Sequence, residues 1–149
     1  MNKQFAIFLF AFFVSIGCLQ GGNTDIKADA FPVLEEPFKL MVNQNAYIKS
    51  ENLLITFVGV PEDSRCPSDV VCIWAGQTTI ELRIEKPSKD IAFFTTLNIT
   101  KGGEQNSSAS FADYGGNNYT IKLLSVEPYP QTADTKRNYE ITLSVSKTS

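Results

Sequence analysis

The sequence predicts one all-β domain, an antiparallel β-sandwich of six to eight strands, Ig-like or small-barrel-like, with one disulfide. Three observations lead there. Apolar and polar residues alternate with period two through much of residues 31–149, the pattern of strands with one buried face. Turn-forming clusters separate these segments. No stretch places apolar residues at helical spacing, and one-sided alternation favours antiparallel over parallel pairing.

The elements follow in order. Phe38, Leu40 and Val42 start the sheet, and a short strand lies near Tyr47. Leu53–Val58 is apolar on both faces, which suits a central strand. In 79–86, Ile80, Leu82 and Ile84 face one way and Glu81, Arg83 and Glu85 the other. Ile91, Phe93, Thr95, Leu97 and Ile99 form another inward set. Tyr119, Ile121 and Leu123 form the next, with Leu124 and Val126 making its second face partly apolar. Tyr139, Ile141, Leu143 and Val145 form the last. Ser50-Glu51-Asn52, Lys86-Pro87-Ser88-Lys89, Lys101-Gly102-Gly103, Tyr114 to Asn118 and Pro128-Tyr129-Pro130 supply the turns.

The N-terminus reads as an export signal. Lys3 precedes Phe5–Ile16, an almost unbroken apolar run that is short of the ~20 residues a spanning helix needs and suits a signal core. Ser15-Ile16-Gly17-Cys18 resembles a prokaryotic lipobox, in which Gly17 precedes the cut and Cys18 takes the lipid. Ser15 departs from the usual leucine-like residue there. Ala28-Asp29-Ala30 offers a rival site that would release a secreted chain starting at Phe31. The expected organisation is a signal peptide over 1–17, a flexible tether over 18–30 and the sandwich over 31–149. Two or more acyl chains on Cys18 would hold the protein to the membrane firmly.

The chain has three cysteines and no histidine. With Cys18 lipidated or removed, Cys66 and Cys72 are left to pair, and closing so short a loop contributes about 2 kcal/mol. The expectation is a stapled crossover between Val60 and Gln77, with Trp74 packed on or near the disulfide. Without histidine, Ser-His-Asp and Cys-His catalysis are excluded. Two cysteines do not make a zinc site, and the Cys-x-x-Cys redox spacing is absent. Glu62, Asp63 and Asp69 match no calcium-loop pattern; solvating the loop and pairing with Arg65 is the simpler role. No cofactor or metal is expected. Net charge is −3, with no basic block, which argues against nucleic acid.

The run Asp63-Ser64-Arg65-Cys66-Pro67, followed by Cys72-Ile73-Trp74-Ala75-Gly76, resembles the signature of an uncharacterised family of small exported prokaryotic proteins, many with lipoprotein-type signals. Glu127-Pro128-Tyr129-Pro130 before a final strand is similar to it too. The resemblance implies export and a β domain, with no activity attached. Asn98, Asn106 and Asn118 fit the N-glycosylation pattern, as chance allows in a chain rich in Asn, Ser and Thr. Tyr114, Tyr129 and Trp74 fall in or beside turns, where Tyr and Trp can meet a partner.

These readings point to a non-enzymatic binding module of the cell envelope, held to the membrane through its lipid, with a protein or glycan partner. Two alternatives stand beside it. One is a secreted inhibitor of an extracellular enzyme that inserts the Cys66–Cys72 loop. The other is an envelope hydrolase using carboxylates, with Asp63 and Asp69, or Glu81 and Glu85, as the available pairs.

Overall fold

A computed structural model describes residues 26–100, 107–113, 115–134 and 136–148. The expected signal peptide, Cys18, the turn expected at 101–103, Asn106 and Tyr114 lie outside these residues. Among the described residues there are eight strands: β1 Phe38–Met41, β2 Asn45–Ile48, β3 Leu53–Asp63, β4 Gln77–Lys86, β5 Ile91–Thr100, β6 Ser108–Ala112, β7 Asn118–Glu127 and β8 Glu140–Thr148. They form two four-stranded antiparallel sheets, ordered β2-β3-β4-β5 and β1-β8-β7-β6.

Within each sheet, consecutive strands from β2 to β5 and from β6 to β8 are neighbours, and β1 returns beside β8. This is an up-and-down order rather than the Greek key of an Ig domain. It is the order of a small barrel, split where β1 leads to β2 and where β5 is followed by β6. Strand pairing closes neither seam, so the two sheets pack as a sandwich.

Local chemistry explains the elements. In β4, Thr78, Ile80, Leu82, Ile84 and Lys86 point inward and are buried, and the alternate residues face outward. β3 is interior to its sheet. Its Leu53, Ile55 and Phe57 are fully buried, while Leu54, Thr56 and Val58 are half-covered on the outer face. Lys49–Glu51 and Pro87–Lys89 form tight 3₁₀ turns. Each is followed by a residue in the left-handed region: Asn52 at φ 49° and Asp90 at φ 52°, a conformation that Asn and Asp tolerate.

β7 departs from simple alternation. A bulge between Leu123 and Ser125 shifts its register on β8. Leu123 and Val126 both face the core, while Leu124 is left exposed. The partly apolar second face expected of this strand is this bulge.

The boundary expected at Phe31 also moves. Asp29 and Ala30 already belong to the fold: both backbone N–H groups donate to the Asn45 carbonyl at 3.1 Å, Tyr47 N–H donates to the Ala30 carbonyl at 2.9 Å, and Asn45 N–H donates to the Asp29 carboxylate at 2.9 Å. Ala30 thus forms a parallel bridge with Ala46 on the free edge of β2.

The core lies between the sheets and includes Leu40, Ile48, Ile55, Phe57, Leu82, Ile84, Leu97, Ile121, Leu143 and Val145. One end of the sandwich carries the long β3–β4 connection. The other carries the 3₁₀ turns and the turn at Gly115 and Gly116.

Candidate interaction loop

Residues 64–76 join β3 to β4, which are hydrogen-bonded neighbours in one sheet. The segment is therefore a hairpin loop, not the crossover expected from sequence. Its ladder runs on past the strands: Ser64 N–H donates to the Gln77 carbonyl, and Cys66 N–H to the Ala75 carbonyl, each at 2.8 Å. The Cys66–Cys72 disulfide, with Cα atoms 5.9 Å apart, closes the tip.

Gly76 shows why this ladder requires glycine. Its φ is +64°, and a Cβ there would lie 1.8 Å from the Ser64 carbonyl oxygen. Any side chain would collide with the facing backbone.

Arg65 pins the loop to the other sheet. It is buried, with 5% of its surface accessible. Nε and Nη2 donate to the two oxygens of Asp63, both at 2.8 Å. Nη1 donates to the Val126 carbonyl at 2.7 Å, and Nη2 also reaches the Pro128 carbonyl at 3.2 Å. The guanidinium lies over the Tyr129 ring, 4.9 Å from its centroid. Asp63 also accepts from the Tyr139 hydroxyl at 3.0 Å and from Arg137 Nη1 at 3.3 Å. Burial alone would push the Asp63 carboxyl up; the hydrogen bonds and charge of Arg65, with the Tyr139 hydroxyl, hold it below its ordinary value.

A second brace lies nearer the tip. Ser68 N–H donates to the Pro130 carbonyl at 2.9 Å. The Asp69 carboxylate accepts from the Thr132 hydroxyl and from its N–H at 3.0 Å, and these bonds lower its pKa. The two motif segments, Asp63–Gly76 and Glu127–Pro130, thus meet in one structural unit.

What this brace holds up is apolar. Val71 and Ile73 are essentially fully exposed, at 101% and 98%, and Trp74 is 78% exposed; Val70 is half out. Trp74 lines one surface hollow with Cys66 and Cys72, near the disulfide, but is left largely uncovered. The ladder and the disulfide hold it beyond the ends of the strands, out of reach of the sheet faces.

The other sequence candidates fall elsewhere. Glu81 and Glu85 lie on the outer face of β4, where Glu85 pairs with Arg83. Asp63 and Asp69 are each engaged by different partners. Asn98 is half-buried in β5, with its Oδ1 enclosed and without a hydrogen-bond partner. Asn118 is exposed at the start of β7. Among the described residues no group of three or more Cys, Asp or Glu side chains is placed to hold a metal ion.

Sequence reasoning missed the partners of Asp63 in β8 and its approach, Arg137 and Tyr139, and carried no signal for them. It also missed a polar network at the opposite end. There Lys86 donates to Asp113 and, at 3.2 Å, to the Tyr119 hydroxyl, which donates to Glu51 at 2.7 Å; Lys147 donates to Glu51 at 2.9 Å. Asp113 is held well below the usual carboxylate range by Lys86 and then by Asn117. Glu51 is lowered by Lys147 and Tyr119. Beside this network, Phe93 meets Phe111 edge to face with centroids 5.1 Å apart, and Phe111 stacks on Tyr119 at 5.3 Å, at the β5/β6 seam.

No protein-family model matches the chain, and no curated protein or solved structure matches it either. The functional reading rests on the geometry.

Proposed function

We propose that this protein is an exported, lipid-anchored, non-enzymatic binding module of the cell envelope, and that the stapled loop is its contact element. The observation that carries the reading is the rigid presentation of Val70, Val71, Ile73 and Trp74 to solvent. Exposed apolar surface on so short a segment stabilises nothing in the fold, and contiguous exposed apolar residues mark interaction sites. A buried charged group pinned by four hydrogen bonds orders the root of the loop before any encounter, so contact costs little further ordering.

Two observations support export with an anchor. Cys66 and Cys72 pair with each other, which leaves Cys18 as the odd cysteine available for lipid. Cleavage after Ala30 would remove Asp29 and Ala30, whose hydrogen bonds cover the edge of β2.

The inhibitor alternative draws support from the same loop, since a rigid exposed tip is what an inserted wedge requires. The hydrolase alternative finds less. The carboxylates with shifted pKa values are all lowered and stay ionised at neutral pH, whereas a general acid needs a raised value.

Intact-mass measurement on membrane and medium fractions tests the compartment. The expected species is membrane-bound, begins at acylated Cys18 and has Cys66 and Cys72 oxidised. A photo-reactive residue at position 73 tests the contact. Crosslinks in the native envelope are expected there and not at Glu85 on the outer sheet face. Equal yields at both positions would overturn the loop's role.

A further inference from the structure

We propose that the Val70–Trp74 tip seats in a lipid surface, so that the sandwich stands on its own membrane with the opposite end turned outward. This rests on the lipid-anchored reading above and names what the loop contacts.

The first observation is direction. The chain enters the fold at Asp29–Ala30 running parallel to β2. β2 is antiparallel to β3, and β3 runs toward the stapled loop. The segment leading back toward Cys18 therefore leaves the fold on the side of the tip.

The second is reach. Ala30 lies beside Ala46, which is level with Ile55. From Ile55 to Cys66, at the base of the tip, is about eleven residues of strand and ladder, roughly 36 Å at ~3.3 Å each. The chain from Cys18 to Ala30 spans at most about 40 Å when extended. A lipid on Cys18 can thus enter the bilayer on which the tip rests. Placing the opposite end on that bilayer would require the chain to reverse before Asp29.

The third is chemistry. The most exposed side chains of the tip, Val71, Ile73 and Trp74, carry no charge. Tryptophan favours the membrane–water interface, with its ring among apolar groups and its N–H near headgroups. The nearby exposed groups Glu62, Asp69 and Glu127 are acidic, so a zwitterionic surface is favoured over an anionic one. The acyl anchor supplies residence at the membrane, and the tip then fixes orientation through a high effective concentration.

Trp74 is the only tryptophan in the chain, so intrinsic fluorescence reports on this loop alone. The test reconstitutes the mature full-length protein into phosphatidylcholine vesicles, with and without bromine on the acyl chains, after mass spectrometry has established whether Cys18 is acylated. With the acylated protein, the expected result is a blue-shifted Trp74 spectrum, at least twofold quenching by brominated chains and a several-fold loss of acrylamide accessibility. The doubly substituted V71S/I73S protein keeps Trp74 and should lose most of the quenching. Admixed anionic lipid should weaken it.

Acylated protein with a solvent-like, unquenched Trp74 overturns the lipid contact while leaving the anchored binding module in place, with its tip free for a protein partner. Protein that is unacylated and indifferent to vesicles overturns both.

Discussion

Arg65 concentrates the energetics of the candidate site in one side chain. Its charge is buried and its acceptors come from both sheets: Asp63 on β3, and the carbonyls of Val126 and Pro128 at the end of β7. Removing one member of a buried pair strands the other, which costs about 3–5 kcal/mol. Arg65→Met should therefore lower unfolding free energy by about that much in urea titrations; a loss below about 1 kcal/mol would mean that the pin is not structural. Gly76 gives a second residue-scale contrast. Gly76→Ala forces a Cβ into the Ser64 carbonyl at a positive φ and should cost at least about 3 kcal/mol. Gly116 has φ +80° but open space around it, so Gly116→Ala should cost only about 1 kcal/mol. Equal losses from the two substitutions, read from urea midpoints, would show that collision adds nothing at position 76.

At the scale of the element, the loop is a hairpin extension with two kinds of constraint, ladder and disulfide. The ladder bonds at Ser64–Gln77 and Cys66–Ala75 should survive removal of the disulfide. The double substitution Cys66→Ser with Cys72→Ser should cost about 2 kcal/mol and raise amide exchange within 67–74, leaving β7 and β8 protected. Exchange spreading into those strands would show that the staple supports the whole sandwich. The strands themselves were legible in sequence because period-two alternation is a local property: Ile80, Leu82 and Ile84 face inward whatever their neighbours are. The β7 bulge was not legible, since it is defined only against the partner strand, and Leu124 and Val126 look alike until β8 sets the register. The loop was half legible. Its cysteines, Arg65 and Gly76 stood out, but the run Val70-Val71-Cys72-Ile73-Trp74 reads as core by composition alone. Its exposure follows from pairing that carries it past the end of the sheet. The Arg137 and Tyr139 contacts, more than seventy positions from Asp63, leave no local trace.

For the whole molecule, the two ends of the sandwich differ in surface and share one electrostatic design. One end exposes an apolar tip over the Asp63–Arg65 pin. The other is closed by the Glu51, Lys86, Asp113, Tyr119 and Lys147 network. Both ends hold carboxylates below their unfolded values of 3.8 for Asp and 4.5 for Glu, so unfolding in acid takes up protons. A depressed folded pKa contributes stability that is fully present above the unfolded pKa and is lost as pH falls through the folded one. Stability should be flat from neutral pH down to about 5 and decline steadily below 4. On the alkaline side, the Lys86 pKa is raised: burial opposes its charge, but the hydrogen bonds to Asp113 and Tyr119 outweigh that. Its contribution should persist until pH exceeds the ordinary lysine value of 10.5. Asp63→Asn isolates one end. At pH 7 the variant should unfold at lower urea, because Arg65 and Arg137 lose their carboxylate. As pH falls toward 3, wild-type Asp63 becomes protonated in the unfolded chain first, and the gap between the two urea midpoints should narrow. A gap that stays constant from pH 7 to pH 3 would mean that Asp63 does not stabilise the fold through its charge, and the brace beneath the tip would then rest on the Arg65 carbonyl contacts alone.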